Sequence, residues 1–527
     1  MSGRLFFDFP LILINFSRSR EQIYLLSLRS IEILHYLYIL SGYEARLHSG
    51  KFKIYFDFPL ICTTFVSVLS KRQSDRLLKM IRDKQEMTGN QKMNLIVQLS
   101  IPSILAQVTT ILMFYIDAAM VGSLGAEASA AIGLVESTMW LFGALTGAVS
   151  MGFSVQVAHF IGANDFRQAR EVFRQSIMAS AIFAVVLGLV AFAVSGPLPI
   201  WLGGSEEIHH DSSIYFGIFA LCMPFMMMRS IASGMLKCAG NMRIPSILSV
   251  LMCVLDVIFN YIGIFVLHLG VVGAALGTAL SFIIIGVWMM WFSVYRSSEL
   301  SLNKEPGSWR FRGEYIRNAI KIGSPMAAQN VLMSGAQIVS TMIVAPLGMM
   351  SIAANSFAIT AESLCYMPGY GIGEAATTLV GQSIGARQGQ LAKSFARMTI
   401  FLGMAVMALM GVVMWIFAPE MIGFLSPVAE IRSLGTEALR IEAWAEPFFA
   451  ASIVGYSICI GAGDTFKPAM MNLGSMWFVR LTLAALLAPT YGLAGVWTAM
   501  AIELTFRGCI FVWRIFVNGK WLKIKGS

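Results

Sequence analysis

Two carboxylates stand inside apolar stretches of this chain. Asp117 lies in the run SIPSILAQVTTILMFYIDAAMVGSLG, and Asp256 in PSILSVLMCVLDVIFNYIGIFVLHLG. A carboxylate at the centre of a bilayer costs roughly 2.5–3.5 kcal/mol on insertion scales, so its default reading is functional. Asn260 follows Asp256 at i+4 and shares its helix face. At 1.5 Å per helical residue, Asp117, Asp256, Asn260 and Thr278 all fall roughly 9–16 Å below the same membrane surface. Two carboxylates with amide and hydroxyl oxygens suit a small hard cation. They also suit a shared proton, because two close carboxylates do not both ionise cheaply.

A second polar set lies further along. Glu442 and Glu446 are spaced i, i+4, and Pro447 beside them can kink their helix. Arg480 sits about twelve residues into its span. A guanidinium keeps its proton and needs a partner there; Glu503 and Glu446 are the candidates. Glu503 and Arg507 are again i, i+4, and with Arg480 they are read as ion pairs bracing the structure. Glu442 and Glu446 are read as a second coupling site or as substrate groups. Glu136, Glu362 and Glu374 are placed to line a cleft and to complement a cationic ligand. Gln329 and Asn330, with Ser334 and Gln337, can add hydrogen bonds. The Met223–Met228 and Met289–Met290 clusters suit an adaptable surface, but packing is the simpler reading. His159 reads as a capping or interfacial residue.

These groups need helices to hold them. The chain has 527 residues, 57% of them apolar and only 13% charged. A soluble protein of this length carries about a quarter charged residues. The fold class is therefore an all-α polytopic membrane protein. The net charge of +9 resides in short clusters between apolar runs, which speaks for topology and not for nucleic acid. The seven cysteines lie mostly in apolar runs without a C-x-x-C pair, as small packing residues.

Twelve spans can be drawn, approximately 94–122, 127–160, 169–197, 212–238, 244–267, 270–295, 314–346, 351–385, 390–418, 428–461, 467–488 and 491–516. One set of joints carries Arg167, Arg170, Arg174, Lys237, Arg243, the 296–321 stretch, Arg387, Lys393, Arg397, Lys467 and the tail lysines. By the positive-inside rule this set is cytoplasmic, and so are both termini. Residues 1–92 differ from the rest: their apolar snatches are broken by charge and Pro. They read as an interfacial extension, a poorly ordered tail, or upstream sequence ahead of a start at Met80, Met87 or Met93.

The two halves match at one offset. Pro102 and Gly125 recur as Pro325 and Gly348; Ile161-Gly162-Ala163 recurs as Ile384-Gly385-Ala386; Ala239-Gly240 with Pro245 recurs as Ala462-Gly463 with Pro468, all 223 positions on. Gly270 and Gly273 recur as Gly492 and Gly495 at an offset of 222. Six spans is an even number, so this is a parallel repeat with its axis along the membrane normal, and binding is expected between the lobes near the midplane. The division is an N-lobe at 93–295, a linker at 296–313, a C-lobe at 314–516 and a basic tail at 517–527. The mates of Asp117 and Asp256 are Ser340 and Val479, so the copied site lacks its carboxylates.

These residues resemble those of the multidrug and toxic compound extrusion (MATE) family, prokaryotic type. The resemblance rests on Pro102 through Asp117-Ala-Ala-Met-Val-Gly122, Ile161-Gly162-Ala163, Ala239-Gly240-Asn241, Gly270-Val-Val-Gly273, Gly381-Gln382-Ser383-Ile384-Gly385-Ala386 and Gly461-Ala-Gly463-Asp464-Thr465. It covers about 87–520. It implies a 6+6 helix bundle that exports organic, often cationic compounds against inward Na⁺ or H⁺. In the family, an acidic residue of helix 1, an Asn/Asp pair four apart on helix 5 and a helix 6 Thr form an N-lobe cation site. Here the pair reads Asp256 then Asn260, inverting the order seen in one branch.

There is no G-x-x-x-x-G-K-[ST] for ATP, no H-E-x-x-H, no zinc spacing and no pore filter motif. The expected protein is not an enzyme and needs no cofactor beyond a coupling H⁺ or Na⁺. It is expected to be a monomer in the plasma (inner) membrane, handling small molecules. A dedicated flippase of a lipid-linked metabolite is the alternative with the same architecture. The expected mechanism is rocking of the lobes, biased by cation or proton binding at Asp117 and Asp256.

Overall fold

The computed structural model describes residues 71–522 apart from Pro306. Tyr and charge-broken stretches before residue 71, and Lys523 and Lys525 of the tail, lie outside the described residues. A short helix, α1 (Lys71–Arg82), comes first. The first span, α2 (Gly89–Gly122), starts at a capping box: Thr88 Oγ1 accepts from the Gln91 amide and Gln91 Oε1 accepts from the Thr88 amide. Then follow α3 (Ala126–Gly162), α4 (Phe166–Ser195), α5 (Glu206–Cys238), α6 (Arg243–Tyr261) and α7 (Gly270–Trp291). Helices α6 and α7 each end in a wider π turn, Ile262–Val266 and Phe292–Arg296.

The second half repeats this order: α8 (Gly313–Val344), α9 (Met349–Gly385), α10 (Gly389–Leu425), α11 (Ala429–Glu442) with α12 (Glu446–Gly461), α13 (Phe466–Gly474) running on through the Ser475–Arg480 turn, and α14 (Leu481–Trp513). Among the described residues, eight single helices are long and apolar enough to cross a bilayer. The α11–α12 pair makes a ninth, bent by 61° with Pro447 in the first turn of α12. Span 8 is α9, with Glu362 and Glu374 in it. Spans 11 and 12 meet inside α14 at Gly492, whose φ of 59° only glycine adopts cheaply. The protein is thus a multi-pass, all-α membrane protein, its described residues forming twelve spans in two lobes.

The backbone carries the duplication more clearly than the side chains do. Positive-φ residues recur in pairs at the repeat offset: Gly125 with Gly348, Asn164 with Arg387, Gly240 with Gly463, Gly270 with Gly492. The π turn at 292–296 recurs at 514–518.

The lobes meet near the basic end. Gly162 lies so close to span 8 that a Cβ there would stand 2.0 Å from the Gln382 carbonyl oxygen, and one on Gly385 would stand 1.9 Å from that of His159. Side chains then bond across: Gln382 Nε2 donates to Cys238 O at 2.9 Å, Thr378 Oγ1 to Lys237 O at 3.0 Å, and His159 Nε2 lies 2.8 Å from Gly461 O. His159 is therefore a lobe-junction residue more than a cap. At the opposite end Trp140 of span 2, and Ile338 and Met342 of span 7, are at least half exposed. On that side Tyr115 of α2 reaches α9, donating Oη to Thr360 O at 2.6 Å.

Two segments outside the twelve spans are docked. In the stretch read as an N-terminal extension, α1 buries Leu77, Leu78 and Ile81 against residues of both lobes, including Leu95, Met242, Leu379 and Ala386. The linker after α7 is tied to the start of α4. Arg174 donates to Leu302 O and Glu305 O, Arg170 to Glu299 O, and Gln175 to Arg310 O. Among the basic residues that read as topological signals, Arg170 and Arg174 are thus buried struts.

Candidate functional site: a carboxylate pocket in the N-lobe

Asp256 and Asn260 take one face of α6 because they are a turn apart. Three glycines let α7 approach that face: Gly263 and Gly273 touch backbone to backbone, and a Cβ on Gly277 would stand 2.1 Å from Asn260 Oδ1. α2 brings Asp117 from the third side. The four residues singled out by depth therefore converge. Asn260 Nδ2 lies 2.9 Å from Asp117 Oδ1, 3.2 Å from Asp256 Oδ2 and 3.4 Å from Thr278 Oγ1. Asp256 and Asn260 are buried, and Asp117 and Thr278 are partly so.

Ser281 completes the group and was not anticipated. Its hydroxyl is within reach of Asp256 Oδ1 at 3.2 Å and of Thr278 O at 2.8 Å. It stands one turn after Thr278 in an otherwise apolar helix, and that spacing was the available signal.

The pocket is rich in oxygen and poor in hydrogen. An amide nitrogen carries two hydrogens, yet three oxygens crowd Asn260 Nδ2. The Ser281 hydroxyl has one hydrogen for two acceptors. Asn260 Oδ1 is buried with no hydrogen-bond partner. A buried polar atom without a partner costs about 1–3 kcal/mol. A proton on one carboxylate, or a small cation among the oxygens, would repair this deficit.

The C-lobe set is arranged differently. Glu442 and Glu446 lie on either side of the α11–α12 bend, fully buried, and among the described residues none of their four carboxylate oxygens has a hydrogen-bond donor. Glu362 of α9 is buried beside Glu442. The expected partner of Arg480 needs correction. Glu503 pairs with Arg507, 3.1 Å away, and accepts from Ser475 Oγ at 2.5 Å. Arg480 directs Nη2 at Met500 Sδ, 2.5 Å away, and its Nε has no partner.

Glu374 is also corrected: it does not line an open cleft. It pairs with Lys237 of the other lobe at 2.6 Å and accepts from Gln107 Nε2 at 3.0 Å, at the closed end. Glu136 is exposed and accepts from Trp140 Nε1 at 3.4 Å. Asn330 donates across the lobes to Ala144 O at 3.3 Å, and Gln329 is buried with Oε1 unpartnered. Met223, Met227 and Met289 are core residues.

Comparison with known proteins agrees with this architecture. The MatE family matches residues 102–262 and 325–486, once in each lobe. A probable multidrug resistance protein NorM of Thermotoga maritima is 26% identical over 81% of this chain and 93% of its own length. One of Pseudomonas aeruginosa with the same description is 28% identical over 77% of this chain and 85% of its own. Among solved structures, a multidrug resistance MATE family transporter of the MOP superfamily in an outward-facing conformation superposes with a TM-score of 0.78 at 21% identity, over 82% of this chain and 97% of that one. A MOP superfamily transporter from Pyrococcus furiosus gives 0.77 at 20% identity, over 81% and 96%.

Proposed function

Because this chain belongs to the MatE family, we propose that it is a secondary exporter that moves organic, often cationic compounds out of the cell in exchange for inward H⁺ or Na⁺. The observation that carries the reading is the hydrogen deficit at Asp117, Asp256 and Asn260. Such a pocket gains a favourable interaction whenever a proton or a small cation enters it. A ligand shifts a conformational equilibrium only by its differential affinity for the two states. Asp117 sits on α2, which packs against α9 of the opposite lobe, while Asp256 and Asn260 sit on α6 within the N-lobe. Neutralising the pocket changes how α2 is held and so changes the lobe interface.

On the orientation drawn from the basic joints, the contacts among His159, Lys237, Glu374 and Gln382 close the cytoplasmic end, and substrate leaves at the other. The relatives described as multidrug resistance proteins support export as the direction of transport. Glu362, Glu442 and Glu446 are the second candidate coupling group, in the C-lobe. The chain acts as a monomer in the inner membrane.

The test is dye efflux in inverted vesicles under a Na⁺ gradient, a pH gradient, or neither. Wild type should transport under one gradient, and Asp117→Asn should abolish that dependence. If Asp117→Asn retains wild-type gradient-driven efflux, the mechanism fails.

A further inference from the structure

The tenth span carries a charged face that transport between the lobes does not use. Helix α11 turns Ile431, Gly435, Ala438, Leu439 and Glu442 into the C-lobe. Its other face presents Arg432, Ser433, Thr436, Glu437 and Arg440, and Trp444 stands just past its end. With Trp415 and Pro419 of α10, this face forms a groove of about 910 Å³. That volume lies in the range of small-molecule sites.

The groove is on the flank of the C-lobe. Glu442 and Glu446 mark the side of the tenth span that faces Glu362 in α9, and the groove lies on the opposite side. Its neighbours on α10, Ile416 and Phe417, are exposed, as lipid-facing residues are. Its height can be placed along α10. Arg397 near the basic end and Trp415 are separated by about 27 Å of helix, close to the ~30 Å of a hydrocarbon core. Trp415 and Trp444 therefore sit at the far membrane surface, where tryptophan concentrates. Trp444 is 77% exposed and Phe424, beyond the groove, 91%.

Two guanidiniums face one carboxylate there. Arg440 lies over the Trp415 ring, 5.2 Å from its centroid, and donates Nε–H to Trp415 O at 3.3 Å. This fixes its position and leaves both Nη groups without a partner among the described residues. Arg432 has no hydrogen bond or ion pair among the described residues. Arginine at a hydrophobic boundary without an anion is a poor arrangement, since its fork geometry suits phosphate.

We propose that this groove binds the headgroup of an anionic phospholipid from the outer leaflet. The lipid phosphate sits between Arg432 and Arg440, Ser433 and Thr436 offer hydroxyls to the headgroup, and the acyl chains run along Trp415 and Trp444. The outer-leaflet assignment rests on the orientation given above. Binding itself does not depend on the transport reading.

The experiment is native mass spectrometry of the delipidated full chain with equimolar phosphatidylglycerol and phosphatidylcholine. Wild type should retain one phosphatidylglycerol at least tenfold over phosphatidylcholine. Arg432→Gln with Arg440→Gln should remove that preference, Arg440→Lys should keep part of it, and Glu437→Gln should strengthen it. Arg432→Gln alone breaks no hydrogen bond or ion pair among the described residues and loses only the packing of the guanidinium over Gly423; it should lower the preference while the melting temperature stays within a degree or two of wild type, which separates the result from a fold defect. Equal retention of the two lipids by wild type overturns the proposal. So does retained preference in the double variant, or displacement of the lipid by millimolar glycerol phosphate, which would mark a site for a soluble anion.

Discussion

In the N-lobe, Asp117 and Asp256 converge on one amide group, while at the same places the C-lobe has Ser340 and Val479. Conversely, the C-lobe buries Glu442 and Glu446, whose mates at the 223-residue offset are Phe219 and Met223. Thr278 and Ser281 correspond, at 222, to Met500 and Glu503, the residues that receive Arg480 and Arg507. The duplicated backbones agree at every paired positive-φ residue, yet the buried charge has moved from spans 1 and 5 to spans 8, 10, 11 and 12. A helix-bundle framework tolerates such exchange because its geometry rests on glycine contacts and turns. Buried charges only need partners on neighbouring helices. What differs is the kind of partner. The N-lobe carboxylates meet an amide and hydroxyls and pair with no cationic side chain among the described residues, whereas Glu503 in the C-lobe has one built in.

That contrast can be broken by substitution. The largest effect is expected from Glu503→Gln, which leaves Arg507 buried without its carboxylate; breaking a buried pair costs about 3–5 kcal/mol. The melting temperature of the purified protein should fall by several degrees, and Arg507→Met in the same chain should restore much of it. Asp117→Asn should do the reverse: melting should stay within a degree or two of wild type, while gradient-driven efflux falls by roughly 5–150-fold, the range of ordinary coupling free energies. If Asp117→Asn unfolds the protein and Glu503→Gln does not, the assignment of a functional and a structural lobe is inverted.

Smaller effects sharpen the picture. Ser281→Ala removes one of few hydrogen donors near Asp256 and should alter the apparent affinity for the coupling ion by a factor of about five, equivalent to roughly 1 kcal/mol per hydrogen bond. Dye efflux titrated against Na⁺ or pH measures it. Glu374→Gln loosens the Lys237 contact at the closed end. A part-exposed pair is worth about 0–1 kcal/mol, so spin labels on α5 and α9 at that end should show a modest gain in the open population, without loss of stability.

The spans, the repeat and the N-lobe pocket were legible because they rest on periodicity. Depth along a helix follows from residue count, and Asp256 with Asn260 share a face by spacing alone. What was hidden depends on helix rotation about its axis and on docking. Arg480 and Arg507 are both within reach of the one span 12 acid, Glu503, in the sequence, and only packing decides that it goes to Arg507. Glu374 read as a cleft residue because its depth was known and its facing partner, Lys237 in another lobe, was not. Helix α1 reads as a charged tail, since three buried apolar residues within KRQSDRLLKMIR are too few to announce a docking face. Ser281 carries no charge and stands in an otherwise apolar helix, so nothing but its spacing from Thr278 marks it.

The linker has a mechanical consequence. Residues 299–310 are bonded to Arg170, Arg174 and Gln175 at the head of α4, and Arg312 N–H is held by Gln175 Oε1 at 2.9 Å. Most of this nominal tether therefore travels with the first lobe as part of its body. The first turn of α8 is held by the same lobe: Gln156 Nε2 donates to Tyr315 O at 3.1 Å and Tyr315 Oη to Gln168 Oε1 at 3.2 Å. The tie between the halves is therefore a clamp on one lobe and not a leash, and the length of the chain in it has little bearing on how far one half tips against the other.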